Sequence, residues 1–137
     1  RNLFYQAQYK EIPDLCTDPD EGDFQFLWGI MAMNLSGNSD KLSDYCLKYS
    51  FEDHWPKTIA DMLIKNISIQ QLIDECYTTT SISEQRGRLT EAYFYIACKY
   101  LEKDKNKAKI YFQKSLDLKF REYYEYISAS TMLKSLK

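Results

Sequence analysis

Four cysteines and one histidine are the side chains best able to do chemistry near neutral pH, and their spacing argues against most of it. Cys16, Cys46, Cys76 and Cys98 are widely separated, form no Cys-x-x-Cys pair, and have His54 near none of them in sequence. That pattern lacks the ligand spacing of a zinc site. A nucleophilic thiol needs a neighbouring base or cation that lowers its pKa, and the sequence places no such partner for Cys46 or Cys98. Wide spacing in helical contexts suits buried free thiols better than a disulfide framework, which leaves the compartment open. His54 precedes Trp55 at a helix start, a place for capping or packing. No Gly-rich phosphate loop, H-E-x-x-H or G-x-S-x-G run is present, so no catalytic residue, metal or cofactor is expected.

Charged clusters come next. Asp18, Asp20, Glu21 and Asp23 surround Gly22, and a calcium loop would need oxygen ligands alternating around such a glycine. With Gly22 at the turn, however, Pro19 takes a ligand slot and Trp28 stands where the closing Glu belongs. The segment reads as a solvated acidic linker, with Asp23 as a helix N-cap. Arg86, Arg88 and the run Lys103, Lys105, Lys107 and Lys109 make local basic patches on solvated surface. Asn34-Leu35-Ser36 and Asn66-Ile67-Ser68 match the glycosylation sequon, which matters only in a eukaryotic secretory protein.

The elements that must position these residues follow from composition and periodicity. Eighteen basic against twenty acidic residues give a net charge of −2 and a pI near 5.5, which disfavours a nucleic-acid partner. No apolar run approaches the roughly 20 residues of a membrane-spanning helix. Arg1 in place of Met points to a processed protein or an excised segment. With 137 residues, 45% hydrophobic and 28% charged, the chain has the size and balance of a single domain over 1–137. Twelve Tyr against four Gly and three Pro imply a few long elements with much packing surface. Apolar residues recur at three- and four-residue intervals and never alternate cleanly, so the class is all-α. Caps and breakers place helices over 3–15, 23–35, 40–49, 55–65, 68–77, 83–102, 106–118 and 122–136.

The most specific signal is a repeat. Tyr93-x-x-Ile96-Ala97-x-x-Tyr100 followed by Ala108-x-x-x-Phe112 and Ser115-Leu116 has the spacing of a tetratricopeptide hairpin, in which small residues let two helices approach closely. Trp28-Gly29 supplies another apolar–small pair. Gly29 and Ala97 lie 68 residues apart, two periods of about 34. Three units in phase are implied, the middle one carrying Leu63 where a small residue belongs, so its helices should be short. The expected architecture is antiparallel helical hairpins of the tetratricopeptide type stacked into a short right-handed solenoid.

Phe4-Tyr5, Asp18-Pro19, Leu27-Trp28, the loop 51–55, Asn66-Ile67-Ser68, Thr90-Glu91, Phe94-Tyr95-Ile96 with Lys99-Tyr100-Leu101, and finally Phe112 and Leu116 follow one order and spacing. Over nearly its whole length the chain resembles the C-terminal half of the NlpI-type tetratricopeptide lipoproteins of bacterial outer membranes. It departs from them at Ser115, in the shortened turn after Tyr100, and in lacking the family's N-terminal lipidated cysteine and first repeats. The resemblance implies a lipoprotein adaptor on the periplasmic side of the outer membrane, anchored through a longer precursor. Such an adaptor brings a murein (peptidoglycan) hydrolase to a processing protease, as a homodimer. The alternative is a generic tetratricopeptide interaction module of a cytoplasmic complex, which four free cysteines would favour.

Either way the reading is a non-enzymatic scaffold for a protein or peptide partner, with no nucleic acid and no membrane span in this segment. Counting from the Ala97 and Gly29 anchors, the concave, partner-binding face takes Glu91, Phe94, Cys98 and Leu101 from the last unit and Phe26, Ile30, Met33 and Asn34 from the first. Mostly apolar, it suits an apolar peptide or helix rather than a carboxylate tail. At the C-terminus, Tyr123, Tyr124, Tyr126, Ile127, Met132, Leu133 and Leu136 spread over more than one helical face, enough for part of that helix to meet another chain.

Overall fold

The computed structural model describes residues 23–35, 44, 50–51, 54–101, 103–121 and 123–136, and every regular element among them is helical. The elements are α1 (Asp23–Leu35), α2 (His54–Leu63), α3 (Ile69–Cys76), α4 (Ile82–Tyr100), α5 (Lys105–Asp117) and α6 (Tyr124–Ser135). The helices expected over 3–15 and, apart from Asp44, over 40–49 lie outside the described residues, as does the acidic segment 17–22. The chain divides into two compact units, 1–66 and 67–137, where the sequence suggests one domain. The helices of the second expected hairpin, α2 and α3, therefore belong to different units.

In the first unit α1 packs on α2. Residues Leu27 to Met33 of α1 are buried without interruption, as a helix apolar on every side must be. Helix α2 is one-sided: Ile59, Ala60, Met62 and Leu63 are buried, while Lys57 and Asp61 pair outside at 3.6 Å. Its C-terminus closes by donation from Lys65 N–H to Met62 O (3.1 Å) and from Asn66 N–H to Asp61 O (2.8 Å). This is a Schellman arrangement with Lys65 at φ 68°, where glycine is usual. The middle helices are short, 10 residues in α2 and 8 in α3, and Leu63 is buried at 2% exposure.

In the second unit the starts of α3, α4 and α5 are each specified by a side chain that satisfies orphan backbone donors, whereas α6 has no side-chain cap at Tyr123. Ser68 and Gln71 form a reciprocal capping box on α3, with Gln71 N–H donating to Ser68 Oγ at 3.0 Å and Ser68 N–H to Gln71 Oε1 at 2.7 Å. Ser81 accepts from Glu84 N–H at the head of α4, and Asp104 from Lys107 N–H at the head of α5. The 19-residue α4 is the central helix, flanked by α3, α5 and α6. Its segment Phe94 to Cys98 is buried on all sides.

Contacts of α4 with α5 define an antiparallel register. Phe94 meets Phe112 at 5.7 Å between ring centroids, Ser115 Oγ donates to Thr90 O at 2.7 Å, and Arg86 Nη2 donates to Leu118 O at 2.9 Å. That register sets Ala97 level with Ala108, and both are at 0% exposure. Helix α6 returns against α5 and α4, burying Glu125, Ser128, Ala129 and Met132. Gly87 lets α6 approach: a Cβ there would come within 2.6 Å of Tyr123 Oη.

Two stability changes follow. Ala97→Leu overpacks a fully buried position of α4 and should lower unfolding free energy by about 1–3 kcal/mol, read as the shift of a urea midpoint. Lys119 ends α5 at φ 60° with its side chain exposed, a conformation that costs an L side chain energy and glycine none. Lys119→Gly should therefore raise stability by up to about 1 kcal/mol in the same assay.

Candidate partner-binding surface

The eight residues expected to line a concave face have different environments. Ile30 (0% exposed) and Met33 (6%) lie in the buried core of α1. Phe26 and Asn34 are on the same helix, with side chains outside the described set. In the second unit Glu91 is half-exposed, but Phe94, Cys98 and Leu101 are buried at 0%, 3% and 6% exposure. Phe94 packs its ring on Phe112 and, edge-on at 5.1 Å, on Tyr95. The expected groove is thus corrected for Ile30, Met33, Phe94, Cys98 and Leu101, which are interior residues. The reason is coverage: helices lie against α4 on three sides, and an apolar residue beneath them gains roughly 1.5–3 kcal/mol by staying dry.

Basic residues separate into two groups. Arg86 donates to Leu118 O and lies over the Phe120 ring at 5.6 Å, tying α4 to the end of α5. Arg88 donates to Glu75 O at 3.4 Å and pairs with Glu84 at 3.2 Å, tying α4 to the end of α3. The second group is exposed on α5. Lys107 Nζ sits 5.2 Å from the Tyr100 ring centroid. Lys114 Nζ sits 5.5 Å from that of Tyr93 and 5.6 Å from that of Tyr111.

The rings under these ammonium groups are themselves ordered. Tyr111 stacks on Tyr100 at 5.9 Å and 11° and leans on Tyr93 at 6.0 Å; all three are half-exposed. Burial raises the Tyr93 phenol above its ordinary pKa, reinforced by Tyr77, Cys76 and Tyr111, so its hydroxyl stays a donor. Neither Lys107 nor Lys114 joins an ion pair among the described residues. Sequence reasoning took Tyr93 and Tyr100 only as packing residues, took Lys107 as one of a solvated run, and passed over Tyr111 and Lys114. The available signal was the shared seven-residue spacing of Tyr93 with Tyr100 and of Lys107 with Lys114, which puts each pair on one helix face.

The titratable interior carries no activated nucleophile among the described thiols. Cys76 and Cys98 are free and buried. Burial, only partly offset by Arg88, pushes the Cys76 thiol up to about 12, and burial with the nearby Glu125 carboxyl raises Cys98 well above the ordinary range. Glu125, 5% exposed, accepts from the Tyr95 hydroxyl at 3.4 Å. His54 is exposed at the first turn of α2, where Thr58 Oγ1 approaches its Nε2 at 3.4 Å. Among the described residues no group of three or more His, Cys, Asp or Glu could hold a metal, and no helix is long and apolar enough to cross a membrane. Comparison with family models, curated proteins and solved structures gives no match.

The raised thiols make stability pH-dependent with a definite sign. In the unfolded chain Cys76 loses its proton above about pH 9, its unperturbed value, whereas the folded thiol holds it to about 12. The contribution is therefore complete below pH 9 and is lost as pH rises through 9 toward 12, at about 1.4 kcal/mol per pH unit. Urea unfolding from pH 7 to 11 should show this decline, and Cys76→Ala should flatten it; an identical alkaline slope in that variant would contradict the assignment.

Proposed function

We infer that this chain is a non-enzymatic helical scaffold that holds a protein or peptide partner. The observation that carries this reading is the face across α4 and α5, where three half-exposed tyrosine rings fix two exposed ammonium groups above them. Aromatic and cationic side chains held in place on paired helices suit recognition, because little rotamer entropy remains to be lost on binding. The packing of α4 on α5 with the small residues Ala97 and Ala108 both buried supports hairpins of the tetratricopeptide type, and with it the solenoid architecture.

Resemblance to the NlpI-type lipoproteins narrows the reading to an adaptor of the cell envelope that presents a peptidoglycan hydrolase to a processing protease. Ile127, 49% exposed on α6, supports the homodimer that goes with it. A cytoplasmic tetratricopeptide module is the second reading, favoured by the free thiols of Cys76 and Cys98. Reconstitution separates them. With the purified chain, a periplasmic peptidoglycan hydrolase and its processing protease, the adaptor reading expects at least tenfold faster degradation of the hydrolase. No acceleration, together with no retention of the hydrolase on the immobilised chain, would overturn the envelope assignment. Failure to retain any protein by crosslinking in the native cell would overturn the scaffold itself.

A further inference from the structure

The tyrosine–lysine face has a period. Tyr93 and Tyr100 are seven residues apart on α4, Lys107 and Lys114 seven apart on α5, so each pair is separated by roughly 10 Å of helix axis. The antiparallel register brings Tyr100 beside Lys107 and Tyr93 beside Lys114, with Tyr111 stacked on Tyr100 and leaning on Tyr93. The result is one ring-and-ammonium unit repeated twice along the hairpin. Its cations are exposed and joined to no carboxylate among the described residues. Exposed Lys103 and Lys105 raise the positive potential at the turn end. A net charge of −2 for the whole chain makes this face a local reversal of sign.

A polyproline II segment advances roughly 3.1 Å per residue, so every third residue returns to the same side after about 9 Å, close to the spacing of the two units. Aromatic rows of this kind accept proline rings, and ammonium groups accept carboxylates. We propose that the α4–α5 face binds an extended acidic, proline-containing peptide segment of a protein partner, with carboxylates three residues apart on Lys107 and Lys114 and the intervening prolines on the rings of Tyr93, Tyr100 and Tyr111. This rests on the scaffold reading and names its ligand. Single-stranded nucleic acid is the rival chemistry for tyrosine and lysine. The acidic balance of the chain, a net charge of −2, disfavours it, because nucleic-acid affinity rests on neutralising many phosphates.

The test uses the full chain and a fluorescein-labelled peptide of four Glu-Pro-Pro triplets, followed by anisotropy at low salt. Saturable binding is expected, weakened severalfold by Lys107→Gln or Lys114→Gln and at least tenfold by both, with helical circular dichroism unchanged. Lys134→Gln, on the exposed side of α6, should leave it intact. Comparable binding of a peptide with the same length and composition in which no two Glu stand three residues apart, or of a twelve-residue oligothymidylate, would overturn the proposal; so would absence of peptide binding. A native protein partner that binds the double lysine variant as tightly as wild type would overturn this assignment while leaving the scaffold reading standing.

Discussion

The packing of α4 on α5 governs the second unit. Two alanines, Ala97 and Ala108, are fully buried at one level of the pair, and further from the turn Ser115 Oγ donates to the Thr90 carbonyl. Thr90 in turn donates its hydroxyl to Arg86 O. Small side chains permit the approach, and the buried hydrogen bonds make it specific, since an unmatched polar group at that depth costs about 1–3 kcal/mol. Large rings then fill the space left between these points, with Phe94 on Phe112 and Tyr93 on Tyr111.

Burial of the α4 segment from Phe94 to Cys98 follows from that geometry, because α3 and α6 cover the sides that α5 does not. Coverage removes Phe94, Cys98 and Leu101 from solvent and keeps the described thiols protonated at neutral pH. It also leaves a single flank of the hairpin on which α4 and α5 both reach water. The half-exposed tyrosines and exposed lysines gather there, the lysine stems lying along ring surface while their charges stay hydrated. Arg86 and Arg88 have the same charge but a different role: their planar, multidentate heads reach backbone carbonyls at the ends of neighbouring helices.

Local signals were legible where they act within a few residues. Helix breakers and the missing strand alternation place the breaks and the all-helical class among the described residues. Scarcity of glycine was legible too, but its consequence was not: lysines, Lys65 and Lys119, take the left-handed position at two helix ends, a cost tolerated because cationic side chains are favourable at helix C-termini. On α6 the apolar residues spread over more than one face in the sequence, and the buried positions include Glu125 and Ser128. A polar residue can be interior when a partner such as Tyr95 meets it, and that partner lies 30 positions away.

By itself, then, the sequence determined the helical class and the breaks between helices, because each depends on residue type at short spacing. The tertiary structure decided which face of each helix is covered. An apolar residue at a groove position and one in a core look the same in one dimension, and only the number of neighbouring helices distinguishes Phe94 as interior. The pairing of Tyr93 with Lys114 and of Tyr100 with Lys107 was decided in the same way. It arises from the register of two antiparallel helices, fixed by the packing of Phe94 on Phe112 and the bonds from Ser115 to Thr90 and from Arg86 to Leu118.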